Sequence, residues 1–257
     1  MNRPKSKIVI TGMGGLCSLG TSADAIWTGM KNGRSGIGPI TTADVSETKV
    51  ACGAEIVELP EIGLDHRRLV TMDRMAHLAV LAADEAWKQS GLPSSEAGHR
   101  RIGAIVGVGT FGGISIDDAY RAVWRENKRF PPIFTVPKAM PGAAAGQVSM
   151  HLGIKGPVFG VSSACASSNH AIGQAMDLLR SGRADAVLAG GADAPLAFGV
   201  LKAWETLRVL APEPCRPFSA DRAGLTIGEA SAMFVLETEE HALARGAHII
   251  AELAGCG

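Results

Sequence analysis

Apolar and polar positions along the chain fall into an alternating series of strand-like and helix-like segments. KIVIT (7–11) is a short continuous apolar run that reads as a buried strand. GMGGLCSLG then reads as a glycine-rich turn, and a helix follows over 22–31. A longer helix is predicted over 72–90, with Met75, Leu78, Ala79, Ala82 and Ala86 on one face and Gly91 as its stop. Further strands are predicted at 102–109 (IGAIVGVG), 158–163 (VFGVSS), 186–193 (AVLAGGAD), 231–238 (SAMFVLET) and 248–255 (HIIAELAG). Helices are expected at 117–127, from Ala171 to its stop at Gly182, near 199–209, and over EEHALARG. The prolines of PPIFTVPKAMP (131–141) exclude a central strand and predict a shaped loop leading into a short helix of small residues.

Strands that read as apolar runs, without in-out alternation, are those covered on both faces. The pattern therefore predicts an α/β protein with a largely parallel sheet between helical layers. No short-period repeat, low-complexity tract or domain linker interrupts it.

Composition narrows the function. At 257 residues and 46% hydrophobic content the chain can bury a sizeable core. With 25 basic and 25 acidic residues, it carries no overall field toward nucleic acid or an anionic membrane. Five scattered cysteines without a CxxC pair suggest neither a disulfide framework nor a metal site, and fit a reducing cytoplasm. MNRPKSKIVITGMGG is too short in apolar residues for a signal peptide, and no stretch reaches the length of a membrane span.

Gly107, Gly109 and Gly112 in GVGTFGG satisfy GxGxxG after a strand, the spacing of a dinucleotide cradle. The second strand and terminal acid that such a site needs about 20 residues on are missing, so a tight strand-end turn is the favoured reading. In TGMGG, Gly12 and Gly14 are followed by Cys17 at the third glycine position, a weaker match still.

The sharper signal is Cys165. It stands where VFGVSSAC hands over to a helix, among the small residues Ala164, Ala166, Ser167 and Ser168. A nucleophile at such a strand-to-helix turn is exposed at the sheet edge. Amide dipoles at the helix start favour negative charge on its sulfur and offer donors to a tetrahedral oxyanion. His170 lies about 140° round a helix from Cys165, a poor angle for a base, so it is expected to be structural, as are His66 and His151. Cys17, Cys52, Cys215 and Cys256 are expected to be small buried hydrophobes.

The segment SSACASSNHAIGQAMDLLRSGRADAVLAGGADAP resembles the active-site region of the elongating β-ketoacyl-acyl-carrier-protein synthases. It is most similar to the second class and its nodulation-type relatives. The likeness extends through KIVITGMGGLCSLG, MDRMAHLAVLAADEAWKQSGL, GVGTFGG, GPVFGVSSAC, CRPFSADRAGLTIGEA and ARGAHIIAELAGCG.

That resemblance implies a thiolase-like, layered αβαβα fold and a 3-oxoacyl-[acyl-carrier-protein] synthase. Cys165 would take an acyl chain from acyl carrier protein and lose it to the carbanion of decarboxylated malonyl carrier. It also implies that Thr110, Phe111 and Trp204 lie along the acyl pocket, and that a homodimer partner contributes a loop matching Phe134 to Met140. Arg67, Arg68, Arg129 and Arg208 match the residues that meet the acidic carrier. No cofactor is implied beyond the carrier's phosphopantetheine, and no metal.

GEA at 228–230 replaces the family's usual GEG; Ala230 adds only a methyl, a change able to perturb a close turn. The family fold pairs two similar halves, the second supplying two histidines, a lysine and a gating loop. Residues 1–257 are expected to be the first half and the start of the second, short of the groups that complete condensation. Two other readings stay open: a non-catalytic chain-length-factor-like partner subunit, against which Cys165 argues, and a thiolase-like enzyme acting on coenzyme A thioesters.

Overall fold

A computed structural model describes residues 6–93 and 99–257, so the first five residues of the N-terminal reading lie outside it. In chain order come β1 (Ile8–Cys17), α1 (Ala23–Lys31), β2 (Gly38–Pro39), β3 (Cys52–Gly53), α2 (His66–Leu69) and α3 (Arg74–Ser90). β4 (Ile102–Gly107), α4 (Gly113–Tyr120) and a π turn (Arg121–Arg125) follow, then α5 (Thr135–Ala139), α6 (Ala143–Leu152), β5 (Val158–Val161) and α7 (Ser167–Arg180). The rest comprises β6 (Ala186–Asp193), α8 (Phe198–Thr206), β7 (Ala230–Thr238), α9 (Glu239–Ala244) and β8 (Ala251–Leu253).

Six strands form one sheet in the order β5-β4-β6-β7-β1-β8. β4 pairs parallel with both β5 and β6, whereas β6/β7, β7/β1 and β1/β8 are antiparallel. The sheet is therefore mixed, and parallel pairing is confined to one side instead of running through most of its width. An apolar run reports burial on both faces, not strand direction.

Side chains sort to the two faces with a period of two. Ala104, Val106, Leu188, Met233 and Val235 pack under α3 and α6, while Ile105, Val187, Ala189 and Leu236 pack under α7. Helix α3 is capped by Asp73, which accepts from the Met75 amide, and stops at Gly91 in the left-handed region (φ +63°). Its Met75, Leu78, Ala79, Ala82 and Ala86 are all fully buried.

The expected turn GMGGLC is instead strand, because β1 continues through its glycines to Cys17. A Cβ on Gly12 would lie 2.1 Å from the Ala86 carbonyl oxygen, and one on Gly14 2.2 Å from that of Ala82. Glycine here lets the backbone of α3 lie directly on β1, a use that mimics a turn signal in sequence. Residues 131–141 differ as well: α5 forms inside the proline-rich segment, with Pro137 in its interior and Thr135 Oγ1 donating to the Pro132 carbonyl. The helix expected at 117–127 begins earlier, at Gly113, and passes into the π turn.

Glu237, like Glu229, has a fully enclosed carboxylate. Glu237 on β7 accepts from Arg245 (2.6 and 2.8 Å), from Thr11 Oγ1, and meets His241 Nδ1 at 2.6 Å. Burial alone would raise its carboxyl, but Arg245, Thr11 and His241 together hold it below the ordinary value of 4.5. A carboxyl depressed on folding adds stability that is complete above its unfolded value and lost as pH falls through the folded one. Urea unfolding is therefore expected to show stability declining below pH 4.5, with a shallower decline in Glu237→Gln. Arg245→Ala, which strands the buried carboxylate, is expected to cost about 3–5 kcal/mol at neutral pH.

Candidate active site

Glycine placement also builds the site. A Cβ on Gly107, at the end of β4, would lie 2.4 Å from the Ser167 carbonyl carbon and 2.5 Å from the Ser168 nitrogen. One on Gly191 would meet Ser168 Cβ at 2.7 Å. The first turn of α7 thus rests on the bare backbones of β4 and β6, where these strands run parallel and Gly107 faces Gly191.

Between β5 and α7 the chain turns sharply. Ala164 has φ +53°, a left-handed conformation that a residue with a Cβ rarely adopts. Ser167 fastens the turn, its Oγ accepting from the Ser163 amide (2.8 Å) and donating to the Ala164 carbonyl (2.6 Å). Cys165 follows the strained residue and precedes Ala166, the N-cap of α7, which supplies no side-chain cap. Its side chain is exposed. Among the described residues the first-turn amides of Ser168 and Asn169 have no protein acceptor, and they point out of the N-terminal end of α7. A thiolate chemistry with amide donors beside it is what this arrangement can support.

Cys165 opens on a pocket of about 600 Å³ lined by Gly107, Gly109, Thr110, Asp193 and Trp204, together with Cys17, Gly228 and Ala230. The GVGTFGG turn forms one side. Its Gly109 amide (2.7 Å), Thr110 amide (3.1 Å) and Thr110 Oγ1 (2.6 Å) all donate to the Asp193 carboxylate. A carboxylate occupies the donors that a pyrophosphate would need, so the turn is a strand end with its own internal anion. Asp193 went unnoticed in the sequence, although its two-residue offset from Gly191 repeats that of Gly109 from Gly107.

His170 is exposed, and its Nδ1 lies 2.7 Å from Ser163 Oγ. Among the described residues no hydrogen bond joins it to Cys165. His151 is bound to Asp84 at 3.1 Å, while His66 is a solvated residue at the start of α2. Of the other thiols, Cys17, Cys52 and Cys215 are half-buried and Cys256 is exposed. None of the four is buried as expected, and Cys256 departs furthest because β8 ends at Leu253, leaving its Sγ beside the Asn169 carbonyl at 3.7 Å. Ala230 crowds no turn: it begins β7, paired with Cys17, and its side chain is exposed.

Thr110 and Trp204 reach the Cys165 pocket. Phe111 lines an adjoining apolar cleft of about 420 Å³ between α4 and α8, which Trp204 also borders. Phe134 and Met140 flank α5, are exposed, and line neither cavity. Arg67, Arg129 and Arg208 are exposed, whereas Arg68 is half-buried, its Nη2 enclosed and without a hydrogen-bond partner among the described residues. None of the four lines the Cys165 pocket.

Comparison with known proteins adds the following. The family model described as "Beta-ketoacyl synthase, N-terminal domain" matches residues 5–242. "Nodulation protein E" of Rhizobium sp. (strain N33) is 59% identical over 251 residues, covering 98% of this chain and 62% of that protein. "3-oxoacyl-[acyl-carrier-protein] synthase 2" of Staphylococcus aureus (strain COL) is 35% identical over 257 residues, covering 98% and 62%. Among solved structures, "The ishigamide ketosynthase/chain length factor" superposes with a TM-score of 0.89 at 30% identity, over 98% of this chain and 63% of that one. "AntDE:AntF (apo): type II PKS acyl-carrier protein in complex with its ketosynthase bound to the hexaketide" gives 0.82 at 26%, over 98% and 62%. The fold is thus that of the thiolase-like ketosynthases. The chain spans about 62% of the length of the curated relatives it matches.

Proposed function

From the premise that this chain belongs to the β-ketoacyl synthase family, we propose that it carries the acyl-accepting centre of a 3-oxoacyl-[acyl-carrier-protein] synthase, with Cys165 as nucleophile. The observation that carries this reading is the exposed Cys165 on a strained elbow at the uncapped start of α7, opening on a pocket. The sulfur attacks the carbonyl carbon of an acyl thioester carried on phosphopantetheine. The tetrahedral oxyanion is met by amide donors, and its collapse breaks the carrier's C–S bond, releasing the carrier as its thiolate, which takes a proton from water, and leaving the acyl group on Cys165.

In the complete reaction, malonyl carrier loses carbon dioxide and its carbanion attacks the Cys165 thioester. The products are a 3-oxoacyl carrier two carbons longer and a free Cys165 thiolate. The acylation half is the part assigned to residues of this chain. Thr110 and Trp204 bound the acyl group beside the sulfur, and Phe111 extends that wall into the cleft. Arg67, Arg129 and Arg208 are proposed to meet the acidic carrier, with Arg68 reaching it only in part. The segment Phe134 to Met140, which presents exposed Phe134, Val136 and Met140, is proposed to serve the partner protomer of a cytoplasmic homodimer. Among the described residues no helix is long and apolar enough to cross a membrane.

Donor preference tests the reading. Intact-mass measurement of acyl transfer is expected to show faster loading from acyl carrier protein than from the corresponding acyl-coenzyme A, by about tenfold or more. A preference for coenzyme A would move the chain to a different thiolase-like activity.

A further inference from the structure

The turn that divides the Cys165 pocket from the α4–α8 cleft is clamped at three points. Asp193 holds Gly109 and Thr110 through three hydrogen bonds. The Gly112 amide donates to the Ala139 carbonyl at 3.0 Å, and a Cβ on Gly112 would meet Ala139 Cα at 2.8 Å. At the far end, Asp73 Oδ2 accepts from the Ser115 amide (2.9 Å) and hydroxyl (2.6 Å). Phe111 sits between these clamps, its ring 3.9 Å from the Cβ position of Gly113 and facing the cleft with Ile116, Val200 and Trp204. Trp204 borders both cavities, so a chain leaving Cys165 reaches the cleft past Trp204 and the Phe111 turn.

Asp193 is the clamp inside the Cys165 pocket itself, and both its oxygens are committed to the turn. We propose that Asp193 is a positioning residue for acyl selection: by fixing Gly109 and Thr110 it holds Phe111 in the wall of the cleft, so that the cleft stays open to the distal part of long acyl chains. This rests on the reading of Cys165 as the acyl acceptor. It adds that chain length is read through a carboxylate that lies outside the cleft it controls.

The test compares loading of Cys165 from hexanoyl and hexadecanoyl acyl carrier protein in the wild type, Asp193→Asn, Thr110→Val and Thr110→Ser. Asp193→Asn faces the two amides with an ambiguous amide group, while Thr110→Val is nearly isosteric and removes a single hydrogen bond, so it keeps the test open should the first variant not fold. The ratio of long to short loading is expected to fall about tenfold in Asp193→Asn, less in Thr110→Val, and to return in Thr110→Ser. An equal loss at both lengths, or an unchanged ratio, overturns the positioning role while leaving the acyl-acceptor reading intact. A wild type loaded by neither donor overturns both.

Discussion

Cys165→Ala is expected to abolish covalent capture of acyl groups while leaving the fold unchanged. The side chain is exposed on the elbow and makes no hydrogen bond among the described residues, so truncating it removes a nucleophile and opens no cavity. The backbone at Ala164 and the first turn of α7 are fastened by Ser167, not by the sulfur. Intact-mass spectrometry after incubation with acyl carrier protein should therefore show a single hydroxylamine-sensitive adduct in the wild type and none in Cys165→Ala, at an unchanged urea midpoint. An adduct that persists in the variant would place the acceptor on another residue.

The second large effect is expected one strand away. Gly107→Ala adds one methyl, yet that carbon would lie 2.4–2.5 Å from the backbone of Ser167 and Ser168, with no flexible side chain to yield. The start of α7 must move, and with it the elbow that aims Cys165. Overpacking of this kind costs about 1–3 kcal/mol. A nucleophile displaced by about 1 Å loses on the order of a hundredfold in rate. The loss of acyl capture in Gly107→Ala is thus expected to exceed greatly what its shift in urea midpoint explains. A variant that acylates at the wild-type rate would show that the packing of α7 on β4 does not set the nucleophile's position.

The same glycines mark the limit of what could be read from residue order. Apolar runs placed β4, β6 and β7 nearly to the residue, because β4 and β6 are buried on both faces and β7 over most of its length. Helix α3 was legible from its caps, Asp73 and Gly91, and from its apolar spacing. Cys165 was legible from its small neighbours and the strand-to-helix switch. Gly12 and Gly14 were not, since close packing of a helix backbone and a tight turn ask for the same residue. Strand direction was not either, for an apolar run has no polarity: β7 and β1 pair antiparallel across more than 200 intervening residues. The left-handed Ala164 carries no signature, because alanine is not a residue that advertises positive φ. Asp193 was hidden for a related reason. Its partners are backbone amides 83 and 84 residues away, brought near only once β4 and β6 are in register.

The account depends on where the sulfur of Cys165 sits, and Cys256 supplies the control, since both thiols are exposed and only Cys165 precedes the start of a helix. Limiting iodoacetamide followed by peptide mapping gives a rate for each of the five thiols in one sample. Cys165 is expected to react about tenfold or more faster than Cys256, and faster still than half-buried Cys17, Cys52 and Cys215. Equal rates at Cys165 and Cys256 would mean that exposure alone governs reactivity, and would contradict activation of Cys165 by the amides of α7.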